Sequence, residues 1–213
     1  MTRFESLRDH WWWRPGWRAG RSFYTWHVTF ADQPGVQQLV TDYAPVLAVL
    51  PQLDPVSARW LHLTMQGIGF TDEVDRNDVD RIVEAARTRC AGLWSFTVTF
   101  GPAHVDRETI QMRVHRPDPL VELRLALRAV IGDVWGPGNV PDPEAGFRPH
   151  VSLGYCNATG PAEPVVEILR AHEEHEEYTA EVTVSSVSLI DLNRDHRMYE
   201  WTDVATVPLG PQT

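Results

Sequence analysis

From residue 22 onward the apolar and polar positions follow two alternating periods. "FYTWHVTF" (23–30) alternates and is rich in aromatic and β-branched residues, which predicts a strand. "PGVQQLVTDYAPVLAVL" (34–50) carries apolar residues at helical spacing, with an interruption expected at Pro45. "ARWLHLTMQGIGF" (58–70) reads as a strand ended by glycines, and 72–93 as a helix whose acidic start suits a helix N-terminus. Residues 94–105 and 108–115 predict a strand pair, and 119–135 a helix. After the loop "GPGNVPDPEAG" come a strand in "FRPHVSLGY" (147–155), a helix within 161–177, and two closing strands, 178–192 and 197–209.

The pattern repeats itself. "HLTMQG" and "PHVSLGY" each contain histidine, an apolar residue and a hydroxyl: His62, Leu63, Thr64 and His150, Val151, Ser152. A helix follows each, then a β segment of similar texture, so that Val98 matches Val182. In a strand, residues i and i+2 share a face. His62 then faces the same way as Thr64, and His150 the same way as Ser152. If an approximate two-fold relates the copies, the two pairs meet across one groove. Two imidazoles there can serve in-line phosphoester chemistry, one as base and the other as acid. The hydroxyls can donate to non-bridging phosphate oxygens.

These motifs resemble the two signatures of the 2H phosphoesterase superfamily, and the likeness covers roughly residues 22 to 208. It implies an α+β fold of two pseudo-symmetric antiparallel sheets with helices outside and the active groove between the lobes. It implies catalytic or phosphate-binding roles for His62, Thr64, His150 and Ser152. Relatives use an aromatic five residues after the second histidine to contact substrate, which Tyr155 matches. Met65 and Gln66 depart from the usual apolar pair of the first motif. The implied activity is metal-independent hydrolysis or ligation at a 2′,3′-cyclic phosphate or 2′-linked phosphodiester of an RNA end or nucleotide, with no cofactor. Two alternatives stand beside it: a non-catalytic binder of RNA ends or nucleotides, and an enzyme for a small non-RNA phosphoester.

Other features adjust this picture. "WHVTF" also fits the motif, through His27 and Thr29, but lies outside the repeat register. Its strand should neighbour that of His62, so Trp26 and His27 are expected to line the groove as substrate contacts. Arg148 is expected to point away from the groove. In "HEEHEE" (172–177) the histidines are three apart, where a zincin needs four, so a solvated helix end is expected rather than a metal site. Cys90 and Cys156 lack ligand spacing and read as packing residues in a reducing compartment.

"DHWWWRPGWRAGR" sets four tryptophans among arginines. Residues 1–21 read as an irregular arm, either a cap over the lobes or a stacking or oligomer surface. Residues 22–208 read as one bilobal domain and 209–213 as a tail. The net charge of −10 argues against a partner as large as long nucleic acid, but not against a nucleotide or RNA terminus. No apolar run approaches the ~18 residues of a membrane span, and no leader is evident, so a cytoplasmic protein is expected. The sequence does not give the oligomeric state, and a monomer is the expectation.

Overall fold

The structure, a computed structural model, describes residues 5–174 and 178–211. Eleven strands and four α-helices follow one another among these residues. They are β1 (Ser6–Leu7), β2 (Phe23–Thr29), α1 (Pro34–Ala48), β3 (Leu53–Pro55), β4 (His62–Phe70), α2 (Arg76–Cys90), β5 (Phe96–Val105) and β6 (Thr109–His115). Then come α3 (Asp118–Trp135), β7 (Val151–Cys156), β8 (Gly160–Pro161), α4 (Glu163–Glu173), β9 (Ala180–Val184), β10 (Ser186–Asn193) and β11 (Glu200–Pro208).

The strands form two main antiparallel sheets, β11-β10-β2-β4 and β3-β7-β6-β5-β9. This is the two-lobed α+β fold expected. Helices α2 and α3 cover the first sheet, and α1 and α4 cover the second. Each helix turns an apolar stripe inward: Val79, Ile82, Val83 and Ala86 of α2, for example, recur at three- and four-residue spacing and are buried. The Asp75 side chain caps α2 by accepting from the Asn77 N–H at 2.7 Å.

The two halves cross over. Motif strand β4 lies in the first sheet, while the hairpin that follows its helix, β5–β6, lies in the second. Motif strand β7 lies in the second sheet, and its hairpin, β10–β11, in the first. Val98 and Val182, matched between the repeats, are direct partners across β5 and β9, so the approximate two-fold passes between them.

Four expectations are corrected. Helix α1 runs through Pro45. That residue is exposed, so the carbonyl it leaves unbonded one turn earlier can turn to water. The expected strand 178–192 divides at Ser185, where the chain leaves one sheet and enters the other. Residues 58–60 form a short 3-10 turn before β4. His150 precedes β7 rather than lying inside it.

Residues 5–21 lie against both lobes. Leu7 is buried, and β1 pairs with β8. The Trp11 and Trp12 indoles donate to Asp54 and Glu108. The Arg194 guanidinium, buried beneath, donates to the carbonyls of His10 and Trp12. Cys90 and Cys156 are buried and unlinked, and burial raises their thiols to about 11 and about 12. No helix among the described residues is long and apolar enough to cross a membrane. His172 stacks on Tyr178, while His175 lies outside the described residues.

Candidate active site

A cavity of about 430 Å³ opens between the sheets. His62 and Thr64 reach it from β4, and Ser152 and Tyr155 from β7. His150 reaches it from just before β7. The two histidine–hydroxyl pairs thus line one space.

Bulges set the directions. Ser152 pairs with Gln111 and Gly154 with Ile110, leaving Leu153 as an extra residue in β7. The bulge turns Tyr155 onto the same side as Ser152, which plain alternation would not do. In β4, Met65 and Ile68 are likewise unpaired against β2. Thr64 and Gly67 therefore both face the cavity, while Met65 packs in the core.

The departures in the first motif have structural uses. The carbonyl of the bulged Met65 accepts from Arg124 of α3 at 3.0 Å. Buried Gln66 donates to the Pro141 carbonyl and accepts from Arg128. Arg124 and Arg128 also donate to carbonyls of Pro141, Asp142, Pro143 and Glu144, so the loop after α3 is clasped to β4.

Both motif histidines use the same orienting contact. Nδ1 of His62 lies 2.8 Å from the Trp60 carbonyl, and Nδ1 of His150 lies 2.8 Å from the Arg148 carbonyl. A carbonyl can only accept, so each Nδ1 carries the proton and each Nε2 keeps a lone pair in the neutral ring. Burial pushes His62 down to about 4; the charge of His150 adds to this, and the Trp60 contact opposes it.

Behind His62 lies His27. Their rings stack at 4.3 Å with planes 3° apart. His27 is 1% exposed, its Nε2 is 3.2 Å from Thr64 Oγ1, and its Nδ1 has no partner among the described residues. Burial holds it neutral, with its pKa well below the ordinary value. An unfilled lone pair is cheaper to bury than an unpaired N–H. The tautomer that follows puts the proton on Nε2, which donates to Thr64 and leaves the threonine O–H free to donate into the cavity.

Of the expected substrate contacts, Tyr155 and His27 line the cavity, His27 as a backing residue. Trp26 does not. It is 0% exposed and points into the core, because β2 turns Phe23, Thr25 and His27 to the cavity and the residues between them away. Tyr155 is itself covered: the His10 ring stacks on it at 4.4 Å, and Trp11 and Tyr199 meet it edge-on. Arg148 does not line this cavity, as expected, and lines a neighbouring basin of about 750 Å³. Arg107 and Arg113 line the basin too, and His10, Thr109 and His150 lie on both.

Sequence reasoning missed Phe23 and Thr25, which the period of two from His27 could have found. It also missed His10, Arg14, Trp17 and Tyr199, which no local signal marks, because long-range packing brings them in.

Fold and site together define a class: a two-lobed α+β protein with paired histidine–hydroxyl strands around one groove. Comparison with protein families matches residues 33–196 to the 2′-5′ RNA ligase superfamily, and the chain belongs to it. Among solved structures it is similar to TT0787 of Thermus thermophilus, at 15% identity and a TM-score of 0.66 over 91% of this chain and 100% of that one. It is also similar to E. coli LigT complexed with 3′-AMP, at 17% identity and a TM-score of 0.63 over 89% and 98%. The MHV ns2 PDE domain follows at 8% and 0.53 over 81% and 99%. At these identities the likeness is one of fold. No curated protein matches the chain.

Proposed function

We propose that the chain is a phosphodiesterase of 2′,3′-cyclic phosphates or 2′-linked phosphodiesters on RNA ends or nucleotides, working through two imidazoles. The observation that carries this reading is the convergence of His62, Thr64, His150 and Ser152 on one cavity of about 430 Å³. Superfamily membership supports the reaction class. The nucleotide complexes of LigT, with 3′-AMP, NADP+ and ATP, support the ligand class.

In hydrolysis of a cyclic phosphate, His62 Nε2 takes a proton from water as the water oxygen bonds to phosphorus. The bond from phosphorus to one ribose oxygen breaks, and His150 gives that oxygen a proton. The low pKa of His62 suits the base, because it keeps the lone pair available at neutral pH. Thr64 and Ser152 donate to the non-bridging oxygens, where charge gathers. With a ribose hydroxyl in place of water the same groups form a 2′-linked ester. Both proton transfers are served by the chain, so turnover needs no divalent ion.

The adjoining basin favours an RNA end over a small non-RNA ester. Among the described residues Arg107, Arg113 and Arg148 have no carboxylate partner there, in a chain of net charge −10. They suit a second phosphate of an extended substrate. The test is incubation with 2′,3′-cyclic nucleotides and cyclic-phosphate-ended oligomers, with identification of the product isomer. Turnover of either supports the reading, and binding without turnover of any of them would move the protein to the binder class.

A further inference from the structure

We propose that Tyr199 is a further phosphate-binding residue of this cavity and that His10, brought in by the N-terminal arm, is its positioning residue. The inference rests on the reading of the cavity as a phosphoester site. Both residues lie outside positions 33–196, the part matched to the superfamily.

Tyr199 lines the cavity beside His62, with ring centroids 5.9 Å apart and planes at 89°. Its hydroxyl is 2.9 Å from His10 Nε2. The other ring nitrogen, Nδ1, lies 3.5 Å from Arg14 Nη2 and 3.3 Å from Glu108 Oε2. Arg14 is bonded to that carboxylate at 2.8 Å. His10 is 7% exposed, and burial, with help from Arg14 and Arg194, takes it down to about 3. The ring is therefore neutral and has one N–H. Arg14 can only donate, and it meets Nδ1 in hydrogen-bond geometry, so Nδ1 accepts and Nε2 carries the proton. That N–H donates to the Tyr199 oxygen, whose own O–H is left for the cavity. Burial pushes the Tyr199 phenol up, so it stays protonated as a donor.

This is the arrangement of His27 behind Thr64, built a second time from another part of the chain. The arm holds His10 firmly. The backbone N–H of His10 donates to the Cys156 carbonyl at 2.8 Å, its backbone carbonyl accepts from buried Arg194 at 3.0 Å, and its ring is stacked on Tyr155. A donor fixed this way needs no reorganisation as charge develops on phosphate oxygens.

The experiment compares Tyr199→Phe, His10→Leu, His10→Gln and the Tyr199→Phe/His10→Leu double variant, with His62→Ala as reference, on 2′,3′-cyclic AMP. Inorganic phosphate binding by calorimetry and melting temperature are measured alongside. Tyr199→Phe should lower kcat by roughly 10–100-fold, with a smaller change in KM, and weaken phosphate binding, with only a modest fall in melting temperature from the hydrogen bond lost to His10. His10→Leu should lose about as much, and His10→Gln, which keeps an N–H donor, should recover most of it. The double variant should be no worse than Tyr199→Phe alone, because the two residues act as one unit. Wild-type turnover in Tyr199→Phe while His62→Ala is impaired would overturn the inference and leave the reading of the site intact. So would equal losses in His10→Gln and His10→Leu. If His62→Ala is also unimpaired, the reading of the site itself falls. Should His10→Leu fail to fold, Tyr199→Phe and His10→Gln decide the matter.

Discussion

The two motif histidines share one orienting contact in two different settings. Each Nδ1 donates to the carbonyl two residues back, Trp60 for His62 and Arg148 for His150. His62 then starts a strand, stacks on His27 and meets Trp201 and Tyr199 edge-on. His150 sits before its strand, at the rim where the cavity meets the arginine-lined basin. The hydroxyls differ as well: Thr64 has an imidazole behind it, whereas Ser152 stands beside a bulge and Tyr155. A duplicated motif thus keeps its geometry and differs in its surroundings. In the proposed mechanism the buried His62, held low by desolvation, is the base and His150 is the acid.

The largest effect expected comes from removing either imidazole. His62→Ala and His150→Ala should each lower kcat/KM for a 2′,3′-cyclic nucleotide by on the order of 10²–10⁴, the usual worth of a positioned acid or base. The double variant should lose less than the product of the two. Steady-state kinetics checks this, and single losses below tenfold would break the comparison.

Next come the hydroxyls. Thr64→Val and Ser152→Ala should each cost about 10-fold or somewhat more, one hydrogen bond to a charged oxygen. Thr64→Val should cost more than Ser152→Ala, because His27 fixes the threonine donor. The reverse order would count against the argument from the imidazole behind it.

The buried imidazoles also make stability depend on pH. His10 and His62 stand at about 3 and about 4, and His27 is well below its ordinary value. Their unfolded forms take up protons near 6.5 and the folded forms do not. Stability contributed by these groups is therefore present above about 6.5 and lost as pH falls from there toward 4. The slope should approach ~1.4 kcal/mol per pH unit for each group. Chemical denaturation from pH 7.5 to 4.5 measures it, and His10→Gln should flatten it by about one group's share. The smallest effect expected is none: a chelator should leave turnover unchanged, whereas loss restored by a divalent ion would add metal to the mechanism.

Much of this was legible in the sequence. The repeat anticipated that His62, Thr64, His150 and Ser152 line one space, because period two and a two-fold are properties of short segments. Trp26 failed for a local reason: in a strand with one face in the core, only one of two neighbours can face the cavity. Ser185 and Pro45 failed because sheet exchange and tolerance of a proline depend on what lies alongside. Tyr199 and His10 could not be read at all, being 189 residues apart and joined only by the way the arm crosses the folded lobes.

The most direct test of the division between the two imidazoles is log(kcat/KM) against pH for the wild type and for His150→Ala, on the same cyclic nucleotide. The wild type should give a bell whose acidic limb lies well below the ordinary histidine value of about 6.5, read over the pH range in which chemical denaturation shows the chain folded. His150→Ala should keep that acidic limb and lose the alkaline fall, since its proton donor is gone. An acidic limb at 6.5 or above, or an alkaline fall that survives in His150→Ala, would contradict the assignment of His62 as base and His150 as acid.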